Sequence, residues 1–559
     1  MTQITQMDGR RRSHPLSTTP MKTRTLALAA GLACLVASGC ETQKFLDVNE
    51  NPNAPQTVSA NLYLPPIIHA LITGQQFDGR FIGHYAQEWY RTDNNCYPTW
   101  GRMGHDAGSV TTTCPGGVDN AGEQWRAVYW NAGQGLVDMM SKAEAEKRWD
   151  LLGAGQVLKA WGWQALADVH GEVIVKEAFN QGASFSFNYD TQEDTYAEVR
   201  RLLNEAITNL QRTDGAVDPV YLGRTDKLFN GDRTRWLRLA YGLLAVNLSH
   251  YTNKTSLYKP ADVIAAVDKS FASQTEDALF VYPNASADNA DRNFLGTTRA
   301  NLALYRQTQF VVNLMNGTSL GGPVDPRMSR MLAPAPDAQY RGLDVNVQGF
   351  GGLTTNQQPL NPNGYSGTPP SGAPGRYVFS DKAKFPVMTY AQLQFIKAEA
   401  AYRAGDKATA LAAYRNGILA HFAFVNARNA EDGFNTTQIS ATDRDAYVNN
   451  PAITPPSANA LTLTQIMTQK YIAQWGWSHN ELWMDLRRFN YTGADPVTGQ
   501  QVFPGFAPPT QLFVDNNGKL AQRLRPRFNS EYAWNRVGLQ ASGGLEPDFH
   551  TKPRWITTP

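Results

Sequence analysis

Apolar residues recur at helical spacing along most of the chain. Between residues 62 and 89 they stand three and four apart, as Leu62, Ile67, Ile68, Leu71, Ile72, Phe81, Tyr85 and Trp89. The same rhythm returns at residues 125–139, 157–165 and 196–210, and residues 235–249 are apolar enough for a central helix. This period is that of amphipathic helices packed on a core, so it predicts a mainly α-helical fold.

Two stretches lack this period. Residues 90–122 are aromatic and rich in glycine, and residues 317–377 are loaded with glycine, proline and asparagine. Both are predicted to be long irregular loops. Long loops inside compact domains are usually functional, so a binding site is expected there.

One segment has the spacing of a tetratricopeptide repeat. In "LQFIKAEAAYRAGDKATALAAYRNGILAH" (393–421), small Ala398, Ala410 and Gly417 and the turn residue Gly405 fit two antiparallel helices in contact. Residues 162–179 are a weaker echo that ends at a similar glycine turn. Because a stable stack needs three or more pairs, we expect tetratricopeptide-like stacked helix pairs joined by long irregular loops.

The N-terminal segment has the outline of a secretory signal. Residues 21–39 combine a basic start, a short apolar middle and small residues, and Ala37-Ser38-Gly39-Cys40 is similar to a bacterial lipobox. We expect a signal peptide at 1–39, of which 1–20 could be a misassigned start, and lipidation of Cys40. A plain cleaved signal or an unmodified cysteine is the alternative. Residues 40–55 would be an extended tether, and 56–559 a single domain.

Charge gives no sign of a nucleic-acid partner. The chain of 559 residues has 51 basic and 49 acidic residues, and five of the basic and one of the acidic lie in the first 39. The remainder carries 46 basic and 48 acidic residues without a basic stripe, so no electrostatic footprint for nucleic acid is present.

Cys96 and Cys114 flank the first irregular loop. In an exported chain two such cysteines are expected to form a disulfide that closes the loop; two free thiols are the alternative. His105 is the only other soft ligand inside that loop, and no CxxC or HExxH motif occurs. We therefore expect no metal site and no cofactor.

Two motifs that suggest catalysis have simpler structural explanations. Gly317–Gly321 fits the GxSxG pattern, but Pro323 and the glycines before it prevent the helix that must follow a nucleophilic serine, and Asn316-Gly317 is typical of a helix C-terminus. His170, beside Asp168, is interpreted as a histidine at a helix end.

A pair of carboxylates also lies on one predicted helix. Glu481 and Asp485 are four apart on a predicted helix, as a glycosidase pair could be, but Arg488 can neutralise Asp485. We interpret this helix as packed and ion-paired, so no catalytic residue is assigned.

Sugar or peptide binding requires exposed aromatic faces with polar groups nearby. Trp100 lies between Thr99 and Gly101, beyond the first helix, and is predicted to be exposed. Trp89 also fits the apolar face of that helix. The candidates in the first loop are Trp89, Tyr90, Arg91, Asp93, Asn94, Tyr97 and Trp100. Those in the second loop are Tyr340, Arg341 and Tyr365.

Several segments, in order, resemble the SusD/RagB family of outer-membrane lipoproteins. They span nearly the whole chain after Cys40: "FLDVNENPNAP", "WQALADVHGEVIVKEAF", "GDRTRWLRLAYGLLAVNLS", "DPRMSR", the helix pair at 393–420, "WGWSHNELWMDLRRFNY" and "PRFNSEYAWN". "HGEVIV" departs from the usual Tyr-Gly-Asp-Val-Pro at His170, Glu172 and Ile174, which indicates a divergent branch.

The resemblance implies a non-enzymatic lid on a SusC-like TonB-dependent channel. Such lids are lipid-anchored at the outer face of the outer membrane and capture oligosaccharides, or in some branches peptides, for import. The resemblance does not identify the residues that contact the ligand, because the binding loops vary within the family. Two other functions stay open: a helical-repeat scaffold that recruits proteins, and a surface glycoside hydrolase that uses Glu481 or Asp485.

Overall fold

The computed structural model describes residues 58–93, 95–105, 114, 119–180, 182, 184–283, 291–431 and 437–559. The predicted signal peptide, the tether with Cys40, and Asn94 lie outside the described residues. Residues Ala60–Pro559 pack as one unit.

Helices dominate this unit, as the apolar period predicts. They are Leu64–Tyr85 (α1), Glu123–Arg126 (α2), Gly133–Ala145 (α3), Trp149–His170 (α4), Gln192–Gln211 (α5), Pro219–Gly223 (α6), Arg233–Ser249 (α7), Pro260–Asp268 (α8), Gln309–Met315 (α9), Met328–Met331 (α10), Tyr390–Ala404 (α11), Lys407–Glu431 (α12), Ala441–Val448 (α13), Leu463–Gln474 (α14), His479–Arg488 (α15) and Arg536–Ala541 (α16). Short 3₁₀ turns occur in the loops, and two π-helical turns lie at Ala127–Asn131 and Phe528–Tyr532.

Four short strands form two antiparallel ribbons. Trp89–Arg91 (β1) pairs with Tyr305–Gln307 (β3), with Tyr90 opposite Arg306. Ala278–Val281 (β2) pairs with Lys384–Met388 (β4), and an irregularity separates Ala278 from Leu279.

The helices begin and end where their sequences supply partners for free backbone groups. Thr191, Asp232, Thr389 and Thr462 each accept a hydrogen bond from a backbone N–H in the first turn of the helix that follows. Gly405 ends α11 at φ +82°, a conformation that glycine adopts without strain.

Consecutive helices stack along the unit, and the predicted mainly α fold of stacked helix pairs is confirmed. α4 packs on α5, α5 on α7, α7 on α8, α8 on α11, and α11 on both α12 and α14. The predicted pair at 393–420 corresponds to α11 and α12. The predicted irregular stretch at 317–377 contains α10, one 3₁₀ turn and otherwise irregular backbone.

Two predicted features differ. The first helix ends at Tyr85, because Gln87 adopts φ +55°, and Trp89 lies in β1 rather than on the helix. The predicted helix at 125–139 is broken into α2, a π turn and α3.

Most tryptophans build the core. The fully buried ones are Trp89, Trp100, Trp125, Trp163, Trp236, Trp475 and Trp483. Among the described helices, none combines the length and the apolar character needed to cross a membrane.

Candidate functional site

The structure places Trp100 inside the core, so its predicted exposure is wrong. Its ring has no exposed surface and packs 4.9 Å from Phe81 and 5.4 Å from Tyr85, both of α1. On the other side His105 lies 4.7 Å away. The chain folds back onto α1 directly after the first helix, so in this structure Trp100 offers no face to a ligand.

The other aromatic candidates of the first loop are also buried. Trp89 and Tyr90 lie in β1, where Trp89 donates its indole N–H to the carbonyl of Arg80 at 3.2 Å. The Tyr97 ring is buried as well, and its hydroxyl donates to the carbonyl of Val345 at 2.9 Å. Strand pairing and loop packing cover these three rings, so none of them presents an exposed face to a ligand.

The polar candidates pair with each other or with the backbone. Arg91 forms an ion pair with Asp93 at 2.5 Å, and Arg341 forms one with Asp337 at 2.7 Å. Tyr365 donates to the carbonyl of Pro374 at 2.7 Å. Tyr340 and Tyr365 are partly buried.

The two predicted binding loops do meet. The Tyr97–Val345 hydrogen bond joins them, and the Arg306 guanidinium lies 5.5 Å above the ring of Phe350. Cys96 and Cys114 form a disulfide bond in the structure. In the described part of this region, these side chains are therefore packed against one another.

Exposed aromatic rings occur elsewhere, and one of them, Trp130, lines a cavity. Of the 13 tryptophans, Trp130 and Trp534 are the mostly exposed ones, at 79% and 81%, and Phe185 is the exposed phenylalanine among the described residues, at 96%. We name the "aromatic cavity" the space of about 570 Å³ lined by Trp125, Arg126, Tyr129, Trp130, Ile174, Glu177, Ala178, Phe179, Phe187, Arg527, Ser530 and Glu531.

The first wall is the broken helix at 123–131. Asp78 of α1 accepts the backbone N–H groups of Glu123 at 3.0 Å and Gln124 at 2.8 Å, which fixes the start of α2. The π turn then inserts an extra residue per turn and carries Tyr129 and Trp130 into the cavity. Single π turns are rare in proteins overall, but those that occur are often found at functional sites.

The second wall is the loop that joins α4 to α5, residues 171–191, of which 181 and 183 lie outside the described residues. A bridge between Val173 and Asp190 closes its base. Tyr129 donates its hydroxyl to the carbonyl of Ile174 at 2.7 Å and accepts the Ile174 N–H at 2.9 Å, which fixes both walls together.

Phe179 in this loop is held in a strained conformation. Its φ of +64° is rare for a residue with a bulky side chain. Such a strained backbone conformation persists only where the surrounding structure maintains it. A Cβ at Gly133 would lie 2.2 Å from the Phe179 ring, so only glycine at 133 lets the ring approach. The ring then faces the cavity.

The third wall is the second π turn, Phe528–Tyr532. Its Glu531 is buried and accepts hydrogen bonds from the Tyr189 hydroxyl at 2.6 Å and from Asn535 at 2.9 Å. Burial, with the carboxylate of Glu531 beside it, raises the pKa of Tyr189 well above its ordinary value, so the tyrosine stays a hydrogen-bond donor. Two π turns thus line one cavity.

The charges that line the aromatic cavity are balanced and mostly engaged. Arg527 pairs with Asp119 at 2.6 Å, and Arg126 reaches Glu123 at 3.4 Å. Glu177 accepts the backbone and side-chain N–H groups of Asn188, and these hydrogen bonds lower its pKa. With two arginines and two glutamates in the lining, no excess of either sign faces a ligand.

Sequence reasoning missed this site, although one signal was present. Trp130 stands five residues after Trp125, off the apolar positions of that predicted helix, where an amphipathic helix normally carries polar side chains. No local sequence pattern marks Phe185 and Trp534. Their segments are 349 residues apart in the sequence, and only the fold brings these segments together.

The carboxylates considered for catalysis are locked in ion pairs. Asp485 is buried between Lys470 at 2.8 Å and Arg488 at 2.6 Å, as expected for a packed, ion-paired helix. Glu481 contacts His250 at 3.1 Å. His170 lies at the end of α4, as predicted, and burial lowers its pKa to about 3.

Asp168, His250 and Glu481 together carry donor atoms of the kind that bind metal ions. However, His250 faces Asp168 with Nδ1 at 3.4 Å and Glu481 with Nε2 at 3.1 Å. The ring bridges two carboxylates that lie on its opposite sides. A metal ion bound to one ring nitrogen would lie on the side of one carboxylate and away from the other. The geometry therefore favours an ion-pair cluster in which the histidine lies between the two carboxylates.

A family model described as SusD-like, starch-binding and associating with the outer membrane matches residues 113–502. No curated protein is a significant match. Similar solved structures include a chitin-binding protein, at 19% identity and TM-score 0.65, covering 90% of this chain and 100% of that one. A SusD/RagB family protein from Bacteroides thetaiotaomicron has 22% identity and TM-score 0.64, covering 90% and 99%.

A chitin-binding SusD homologue from Flavobacterium johnsoniae has 19% identity and TM-score 0.63, covering 89% of this chain and 98% of that one. At these identities the structural likeness shows the fold alone. The family model, in contrast, spans more than half of the sequence. The chain therefore belongs to the SusD-like family.

Proposed function

We propose that this protein captures neutral oligosaccharides at the aromatic cavity and delivers them, as a lid, to a SusC-like TonB-dependent channel. The observation that carries the proposal is the exposed ring of Trp130 in the lining of that cavity, to which Trp125, Tyr129, Phe179 and Phe187 also contribute. The faces of aromatic rings suit the apolar faces of sugar rings, so an exposed ring in the lining of a cavity is well placed to stack on a sugar.

The lining favours neutral glycans over charged ligands and peptides. Its arginines and glutamates balance, so neither an acidic nor a basic chain gains from net charge. None of the described strands β1 to β4 contributes to the lining, so no strand edge there could pair with a peptide backbone. A volume of about 570 Å³ falls within the usual range of small-molecule sites.

A second cavity, of about 620 Å³, is less suited to sugars. It lies between Ser319, residues 451–465 and residues 500–504, where prolines, threonines and glutamines predominate. No aromatic or charged side chain lines it. Of these two cavities, the aromatic cavity is therefore the one that offers rings on which a sugar can stack.

The cavity supports binding rather than hydrolysis. A glycosidase needs one carboxyl with a raised pKa to protonate the leaving oxygen. The hydrogen bonds from Asn188 lower the pKa of Glu177, and Glu531 already accepts two hydrogen bonds. The proposal is accordingly a binding protein without a catalytic residue.

The remaining parts of the proposal concern the membrane. Cys40 would carry the lipid, residues 40–55 would be the tether after a signal peptide at 1–39, and residues 56–559 would be the binding domain. Mass spectrometry of the protein extracted from membranes should find acyl groups on the peptide that begins at Cys40. An unmodified Cys40 in that peptide would contradict the anchor.

Calorimetric titration tests the ligand. Starch-derived oligosaccharides follow from the family description and chitin-derived ones from the two chitin-binding neighbours, so both series are titrated into the full chain. Trp130→Ala should weaken binding by at least about tenfold, or about 1.4 kcal/mol. Val514→Ala, an exposed apolar residue elsewhere, is the control. Wild-type affinity in Trp130→Ala would contradict the site.

Co-purification tests the channel. Gentle extraction of the native membrane should bring a TonB-dependent channel down with the tagged protein. A scaffold that only recruits proteins would also bring down partners, but it would bind neither oligosaccharide series.

A further inference from the structure

Three exposed apolar side chains lie outside the lining of the aromatic cavity, on neighbouring parts of the chain. We name the "outer platform" the exposed side chains of Phe185, Trp534 and Val537, which are 96%, 81% and 74% exposed. None of the three lines the cavity itself. They nevertheless lie on two of the segments that do.

Chain connectivity places the outer platform next to the cavity. Phe185 is two residues from the lining residue Phe187, which limits their Cα separation to about 7.6 Å. The backbone N–H of Trp534 donates to the carbonyl of the lining residue Ser530 at 2.8 Å, so Trp534 lies one helical turn away. Chain connectivity thus places the backbone of Phe185 and of Trp534 beside the lining of the cavity.

The outer platform is held in place by buried contacts. Asn535, next to Trp534, is buried; its side chain accepts the Phe187 N–H at 2.8 Å and donates to the Phe187 carbonyl at 3.0 Å. Its amide oxygen also accepts the Ser186 hydroxyl at 3.2 Å. A Cβ at Gly538 would lie 2.1 Å from the Phe187 carbonyl oxygen, so glycine permits this close approach.

We infer that the ligand is an oligosaccharide chain longer than the cavity, and that its protruding end stacks on Phe185 and Trp534. This inference rests on the proposed function and specifies its substrate class. The two rings stay exposed while the backbone that carries them is fixed, as expected of a pre-organised binding surface. Because chain connectivity places the outer platform beside the cavity, its proposed occupant is the part of the same oligosaccharide that extends out of the cavity.

Affinities for two chain lengths test the inference. A disaccharide and a hexasaccharide of the same linkage are titrated into the full-length wild type, Phe185→Ala, Trp534→Ala, Trp130→Ala and Val514→Ala. The wild type should bind the hexasaccharide at least about tenfold more tightly than the disaccharide. Phe185→Ala and Trp534→Ala should remove most of this gain and leave disaccharide binding unchanged. Trp130→Ala should weaken both ligands, and Val514→Ala neither.

The outcomes separate the two proposals. If neither ligand binds the wild type, both the function and the inference are wrong. If both bind and only Trp130→Ala matters, the function stands and the inference is overturned; the outer platform then serves another partner, such as a protein. An equal loss of both ligands in Trp534→Ala would also overturn it, because the ring would then act inside the cavity. The replaced rings are exposed, and unchanged melting temperatures should verify that the variants fold.

Discussion

Trp100 and Trp130 differ in how much of their rings the fold buries. Trp100 is enclosed by Phe81, Tyr85 and His105, whereas Trp130 points from a π turn into an open cavity. Burying a large apolar side chain stabilises a fold by about 1.5–3 kcal/mol, and an exposed one leaves that energy available to a ligand. At the residue scale, one tryptophan therefore serves stability and the other serves binding.

Truncating these two rings should separate the roles. Trp100→Ala is expected to lower the free energy of unfolding by about 3–5 kcal/mol, because it leaves a cavity in the core. Trp130→Ala should change it by less than about 0.5 kcal/mol, as surface substitutions do. Denaturant unfolding of both variants measures this, and equal losses would contradict the assignment.

His250 should give the protein a measurable pH dependence. Burial alone would lower its pKa, but the carboxylates of Glu481 and Asp168 outweigh burial and raise it from 6.5 to about 9. A raised pKa means that the stabilisation is complete below about pH 6.5 and is lost as the pH rises through 9, by about 3 kcal/mol in all.

The comparison of variants isolates this contribution. Unfolding free energies should fall more steeply between pH 7.5 and 9.5 for the wild type than for His250→Gln. His421→Gln is the control, since burial lowers the pKa of His421 well below its ordinary value and leaves it neutral throughout this window. Parallel curves for wild type and His250→Gln would show that the ring is not charged between the two carboxylates.

At the element scale, loop length decides where the site lies. α11 and α12 are joined by a tight turn at Gly405, and this pair was predicted because its signal is local. α4 and α5 also pack together, but residues 171–191 separate them, so the weaker echo at 162–179 is not a helix pair with a tight turn. That insertion forms the second wall, and its contacts with 527–535 are too distant in sequence for any local pattern to show.

Gly133 should be required for this wall. Gly133→Ala places a Cβ 2.2 Å from the Phe179 ring and 2.6 Å from the carbonyl oxygen of Val128. We expect a loss of about 1–3 kcal/mol from overpacking and weaker oligosaccharide binding as Phe179 is displaced.

Gly135→Ala in the same helix is the matched control. The nearest atom to its Cβ would be 3.6 Å away, an ordinary contact, so the change should stabilise α3 by up to about 1 kcal/mol. Calorimetric melting and titration of both variants check the pair. Indistinguishable behaviour of the two would contradict the packing of Phe179 on Gly133.

For the whole molecule, the helix stack and the local pair of Asp485 with Arg488 were predictable, whereas the ion pairs between helices were not. The apolar period of each helix reports burial, which is why the mainly α fold follows from sequence. A buried ion pair joins helices that are distant in sequence, because Arg488 of α15 contacts Glu399 of α11 at 2.9 Å. Within α15, Arg488 also contacts Asp485 at 2.6 Å. Lys470 of α14 completes the cluster through Asp485.

Removing the central cation should destabilise the whole unit. Arg488→Met leaves Glu399 and Asp485 buried beside each other with less compensation, at a cost of about 3–5 kcal/mol. Arg201→Met breaks an exposed pair with Glu198 and should cost less than about 1 kcal/mol. Denaturant unfolding compares the two, and a small loss for Arg488→Met would mean that the cluster does not hold the stack together.

A crystal structure of the protein with its tightest-binding neutral oligosaccharide tests the central claim most directly. The sugar rings should lie in the aromatic cavity, with at least one stacked on Trp130 and within hydrogen-bonding distance of Arg126 or Glu177. A ligand bound beside Tyr340 and Tyr365, or in the cavity near Ser319, with Trp130 uncovered, would contradict the account.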